Sequence, residues 1–107
     1  MAFTIASKDG DGKLAGATLD AGGTLEIRDV DAGHRMLLQV LAAGTPLRID
    51  LGGISAVDAA GIQLLLALKQ EGMRRRIPIE FCGTSAAVKH ALALLGLASE
   101  LSGSLAS

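Results

Sequence analysis

Aromatic side chains are nearly missing from this chain: two Phe, no Trp and no Tyr, or 2% of 107 residues. Its core must therefore be built from Leu, Ile, Val and Ala. Two phenyl rings also offer little for stacking on nucleic-acid bases. Charge of one sign is lacking too. Ten Lys and Arg stand against eleven Asp and Glu, a net charge of −1, so no whole-chain positive field draws in nucleic acid. The single cysteine, Cys82, excludes an internal disulfide and suits a reducing compartment. No apolar run approaches the roughly 18 residues of a membrane span. No basic segment followed by an apolar stretch opens the chain, as a secretory leader would require. The expectation is a cytoplasmic protein without direct membrane insertion and without a nucleic-acid partner. Apolar residues, by contrast, make up 50% of the chain. At this length they suffice for one core in a single domain, residues 1–107.

The order of elements follows from periodicity and turn chemistry. Residues 3–6 (Phe-Thr-Ile-Ala) alternate as a short strand. Residues 8–13 (Lys-Asp-Gly-Asp-Gly-Lys) form a turn, because Asp-Gly pairs tolerate positive φ. Residues 14–19 return as a second strand, Gly22-Gly23 makes another turn, and residues 25–27 form a third strand. A helix over about 31–43 starts at Asp29 or Asp31, stops at Gly44, and turns Leu37, Val40 and Leu41 inward. Residues 47–51 (Leu-Arg-Ile-Asp-Leu) read as the central strand. A second helix covers about 59–75, and Pro78 opens a strand over 79–82. Thr84 or Ser85 caps a third helix that turns Val88, Ala91, Leu92 and Leu95 inward and ends at Gly96. Residues 102–107 read as a frayed tail. Early strands followed by strand–helix alternation predict an α/β fold of α+β character: a mixed sheet of four to five strands, with three or four helices mainly on one face.

Signals for catalysis or metal binding are weak. Asp9-Gly-Asp-Gly hints at a calcium loop, but Leu14 stands where the loop needs glycine, and the last ligand would be Asp20 rather than Glu. His34 and His90 lie on different helices with no Cys or His at ligand spacing. No nucleophile–base pairing can be argued. Gly52-Gly53 lacks the flanking pattern of a phosphate loop. The chain reads as non-enzymatic, with no cofactor and no metal.

The most informative segment is 49–68, Ile-Asp-Leu-Gly-Gly-Ile-Ser-Ala-Val-Asp-Ala-Ala-Gly-Ile-Gln-Leu-Leu-Leu-Ala-Leu. It is a buried strand, a loop with one acidic residue, and a helix that opens at a glycine. It resembles the signature of STAS domains, the family of anti-sigma-factor antagonists and sulphate-transporter tails. The resemblance covers roughly 24–101 and includes Gly83-Thr-Ser-Ala-Ala-Val. The compact run from Leu25 into the first helix is most similar to a small subgroup. That subgroup holds the STAS subunit of bacterial phospholipid-transport ABC systems and stand-alone proteins that accompany chemotaxis kinases. In the family, the residue after the loop Asp is a hydroxyl that accepts phosphate. The matched position here is Ala59, which cannot. Either the protein is unswitched, or control lies elsewhere, or Ala59 is a substitution. The first is the expectation. Ser55 is a nearby hydroxyl but lies three residues before Asp58.

Asp58 reads first as a helix cap and second as an exposed contact. Gly61 reads as a close-packing residue. At 100° per residue, Gly61, Leu64, Leu65, Leu68 and Gly72 form the sheet-facing stripe, while Ile62, Leu66 and Met73 lie about a quarter-turn away. Those three are either a broad core stripe or a half-exposed ridge for a partner. The expected partner surface is Ser55, Asp58, Ala59, Ala60, Ile62 and Leu66. Arg74-Arg-Arg76 reads as a solvated helix end that complements the dipole. The resemblance implies a regulatory interaction module that binds a GHKL-type or chemotaxis-type kinase. Alternatively, it implies a subunit that stabilises the ATPase of a phospholipid-transport ABC complex. A second copy of the chain, forming a homodimer, is a further candidate to cover the ridge.

Overall fold

The computed structural model describes residues 3–7, 17–97 and 105–106. Among these residues five strands form one mixed sheet in sequence order: β1 (Thr4–Ser7), β2 (Ala17–Leu25), β3 (Leu47–Val57), β4 (Ile79–Cys82) and β5 (Leu105–Ala106). β1 pairs antiparallel with β2, and every later pair is parallel. Helices α1 (Val30–Leu41), α2 (Ala59–Arg75) and α3 (Ala86–Leu95) connect successive parallel strands, and α2 packs against both α1 and α3.

Strand alternation assigns the two faces. Leu19, Ile49 and Phe81 are register partners across three strands and are all buried under the helices. One residue on, Asp20, Asp50 and Cys82 are also partners, on the opposite and more polar face. Arg48 and Glu80 pair on that face at 2.7 Å. The expected mixed sheet with helices on one face is what forms, and the core is aliphatic apart from Phe3 and Phe81.

Several expected boundaries move, for physical reasons. Gly22-Gly23 is not a turn. It lies inside β2, which runs unbroken to Leu25, and the register shifts on either side of it as at β-bulges. Gly22 faces Gly53 on β3, so two Gly-Gly pairs that look like loops are strand irregularities. β3 consequently extends past Leu51 to Val57. The expected third strand at 25–27 is the end of β2 followed by a 3-10 turn, Ile27–Asp29. Asp29 stands at the N-cap position of α1 but does not cap it. Its carboxylate accepts from the Thr24 hydroxyl and the Glu26 amide, both at 3.0 Å, and so braces the 3-10 turn.

α1 stops at Leu41, two residues early, and Gly44 takes positive φ as expected. Leu37 and Leu41 are buried, and Val40 is half-buried. Ser85, not Thr84, caps α3, and Gly96 ends it left-handed. On α3, Val88, Ala91 and Leu92 face inward, but Leu95 does not: it is 40% exposed. The expected frayed tail at 102–107 is corrected at Leu105–Ala106, which pair with β4. The turn expected at 8–13, the first half of the strand expected at 14–19, and the rest of the tail lie outside the described residues.

Candidate functional site

α2 begins where β3 leaves the sheet, and Asp58 governs that junction. Its backbone is extended, and its Oδ1 accepts from the Gly61 amide at 3.0 Å. The second oxygen, Oδ2, accepts from the Ile27 amide at 2.9 Å, from a turn 31 residues earlier. One carboxylate thus caps a helix and ties the β2–α1 turn to the β3–α2 loop. The Gly61 amide does most to hold the Asp58 carboxyl below its ordinary value; desolvation opposes it, and the Ile27 and Ala60 amides add smaller help.

Gly61 makes this proximity feasible. A Cβ there would lie 2.0 Å from the Leu25 carbonyl oxygen and 2.7 Å from Val57 Cγ2. The helix start therefore rests on the end of β2, as its close-packing reading anticipated. Ala59 is exposed on the first turn of α2, and Ala60 is half-buried. Ser55 is exposed on β3, and its hydroxyl donates to the Gly23 carbonyl at 3.3 Å.

The apolar ridge does not survive as expected. Ile62 is 0% exposed, among the most deeply buried of the described side chains, and Leu66 is half-buried against the core. The reason is the central position of α2. Leu64 and Leu68 line its contact with α1, which leaves the opposite shoulder, with Ile62 and Leu66, on the α3 side. A helix with neighbours on both flanks needs a wide apolar arc. α3 has ten residues against seventeen in α2, and further along that shoulder Met73 is 69% exposed.

The exposed apolar side chain beside the loop is Ile27 instead, at 72%. Its amide is the one Asp58 holds. Sequence reasoning missed it because Leu25-Glu-Ile27 looks like an alternating strand. The usable signal was Glu26-Ile-Arg-Asp29, whose carboxylate three residues on closes a capped turn. Of the expected surface, Asp58, Ala59 and Ala60 share one turn, Ser55 stands just before them, and Ile62 and Leu66 belong to the interior and its edge.

Among the described residues, no group of three His, Cys, Asp or Glu could hold a metal ion, and no helix is long and apolar enough to cross a membrane. His34 and His90 are both exposed, on different helices.

The sequence profile of the family described as "Mlab, STAS domain" matches residues 11–105. The chain belongs to the STAS family. A comparison with curated proteins gave no match. Among solved structures, the anti-sigma factor antagonist SpoIIAA in its unphosphorylated form superposes with a TM-score of 0.69 at 14% identity, covering 97% of this chain and 85% of that one. The phosphorylated form of the Bacillus protein gives 0.66 at 14%, covering 97% and 88%. An anti-sigma factor antagonist from Mycobacterium paratuberculosis gives 0.71 at 21% identity, covering 92% and 81%. The murine anion transporter Slc26a9 gives 0.68 at 17%, with 97% of this chain matching 20% of the transporter. At these identities the likenesses speak for the STAS fold alone.

Proposed function

We propose that this STAS domain is a non-enzymatic, cytoplasmic interaction module. Its partner meets the surface formed by Ile27, Ser55, Asp58, Ala59 and Ala60. The observation that carries this reading is the Asp58 carboxylate, which fixes an exposed isoleucine and an exposed helix start to each other. A large apolar side chain left wet on a braced turn is a natural anchor for a protein partner. Ordered backbone around it lowers the cost of binding.

In switchable relatives a phosphate at the Ala59 position would add about −1.5 to −2 charges to this surface. Ala59 carries no acceptor, so binding is constitutive or is controlled through the partner. Two partner classes fit. One is a GHKL-type or chemotaxis-type kinase, bound without being able to phosphorylate this site. The other is the ATPase of a phospholipid-transport ABC complex, bound as a standing subunit. The missing hydroxyl and the match to the Mlab profile favour the second.

Co-expression with each candidate partner encoded beside the gene decides between them. The wild-type chain should co-elute with one of the two. Ile27→Glu and Ala59→Glu should each abolish co-elution while melting as the wild type does. Retention of the partner by both folded variants would remove this surface from the interface. Co-elution with neither partner, together with concentration-dependent dimerisation lost in Ile27→Glu, would instead assign the surface to a second copy of the chain.

A further inference from the structure

A groove of about 340 Å3 runs between α1 and α2, and none of its lining residues belongs to the partner surface. The helices meet closely at its head, where a Cβ on Gly33 would lie 3.1 Å from Leu64 Cδ2. The floor is Leu37 and Leu41 from α1 with Leu64 and Leu68 from α2, each no more than 6% exposed. Leu38 forms one wall. The other wall is Ala67, an exposed residue whose short side chain leaves the groove unroofed.

The lower end is charged. Glu71 and Arg75 line it. Glu71 accepts from both Arg74 and Arg75, the latter through Nε at 2.7 Å, and the two guanidiniums hold its carboxyl down to about 2. Two cations thus share one anion, which leaves net positive charge at that end. Among the described residues, the Arg75 guanidinium is hydrogen-bonded through Nε alone, so its terminal nitrogens remain available as donors. His34 marks the opposite end.

We propose that this groove binds a single-chain anionic amphiphile, with its tail on the leucine floor and its carboxylate on Arg75. The volume lies at the lower end of the range for small-molecule sites, about 300–1,000 Å3. From His34 to Leu41 the lining helix rises about 10 Å, enough for a medium-length alkyl chain. The net charge at the Arg75 end selects an anionic head over a neutral or cationic one. This assignment stands apart from the partner surface and does not depend on it.

Isothermal titration of the full chain with decanoate, 1-decanol and decyltrimethylammonium tests it. Decanoate should bind saturably at one site, decanol about fivefold or more weakly, and the ammonium not at all. Ala67→Trp, on an exposed position that roofs the groove, should weaken decanoate about tenfold or more. Gln63→Trp, exposed on the same helix outside the groove, should leave it unchanged. Arg75→Gln should bring decanoate down to the level of decanol and leave decanol alone. Absence of saturable decanoate binding overturns the proposal, as does binding indifferent to Ala67→Trp. Equal affinity for all three head groups, or no effect of Arg75→Gln, overturns the anionic assignment.

Discussion

α2 and α3 are built to the same plan and differ at both ends. Each starts with a side chain that accepts from the amide three residues on: Asp58 from Gly61 at 3.0 Å, and Ser85 from Val88 at 3.2 Å. Each ends in a left-handed residue, Arg76 at φ 59° and Gly96 at φ 67°. α3 follows local rules throughout, with a hydroxyl cap bonded within its own turn and a glycine stop. α2 adds a bond from its cap to Ile27, across 31 residues, and stops on a residue that local preference disfavours. The additions at α2 belong to tertiary structure. They tie the start of the central helix to a separate turn, and that junction is the candidate site.

The largest effect should come from the α2 shoulder. Ile62→Gln places an amide where the native side chain is fully buried, and should cost about 4 kcal/mol or more. Leu65→Ala, at 1% exposure, should cost about 2–5 kcal/mol. Gln63→Ala, on the wet side, should stay within about 0.5 kcal/mol. Urea midpoints check the order. An Ile62→Gln variant as stable as the wild type would mean that the shoulder is free after all, and that α2 is no more enclosed than α3.

The two helices also differ in how much room a glycine has. A methyl at Gly61 would press on the Leu25 carbonyl, which is main chain and cannot swing aside, so Gly61→Ala should cost about 3 kcal/mol. Gly96 has open space around its missing Cβ. Gly96→Ala meets only the left-handed φ penalty, about 1 kcal/mol. Thermal melts of the pair that showed equal losses would break the distinction between a packing glycine and a stop glycine.

Caps come next. Asp58→Ala loses a charged cap and the Ile27 bond together, about 2 kcal/mol, against about 1 kcal/mol for Ser85→Ala. The two also separate with pH. Asp58 is held below its ordinary value in the folded state, so its contribution is complete above the unfolded pKa of about 3.9 and is lost as pH falls through the lower folded value. Glu71, held near 2 by Arg74 and Arg75, adds its own acid slope over the same window. Subtracting an Asp58→Asn titration of urea midpoints isolates the part due to Asp58. Ser85→Ala should run parallel to the wild type across that range. A wild-type curve that runs parallel to Asp58→Asn into acid would show that the charge on Asp58 contributes nothing to stability.

Much of this was legible in the sequence where local and tertiary demands agree. Asp58, the Gly61 contact, Gly96, and the bounds of α2 and β4 all follow from caps, spacing and proline. What was not legible depends on neighbours. Gly22-Gly23 and Gly52-Gly53 each read as loops alone and become strand only when set against one another. Ile62 lies off the main stripe on a helical wheel, and its burial requires knowing that α2 has a helix on each side. Ile27 is exposed because Asp29 curls the chain back under Thr24 and Glu26, a bond pattern that alternation alone conceals. The sequence therefore points to the acidic loop of the proposed surface but not to the exposed Ile27 beside it.

The smallest effect sharpens the comparison at the other end of α2. Arg76 is the sole non-glycine residue at positive φ among those described. Its amide donates to the Met73 carbonyl at 3.1 Å, and the next amide, of Ile77, reaches back to Gly72 at 2.8 Å, so the left-handed turn is needed to close the helix. A side chain in that region costs about 1–2 kcal/mol. Glycine removes that cost but adds freedom to the unfolded chain, worth about 0.5–1 kcal/mol in the opposite direction. Arg76→Gly should therefore stabilise by only about 0.5 kcal/mol, read as a small rise in the urea midpoint at unchanged slope. A loss of stability would mean that the Arg76 side chain holds α2 through contacts stronger than its strained backbone. The stops of α2 and α3 would then differ in kind, whereas a gain makes them the same stop carrying different residues.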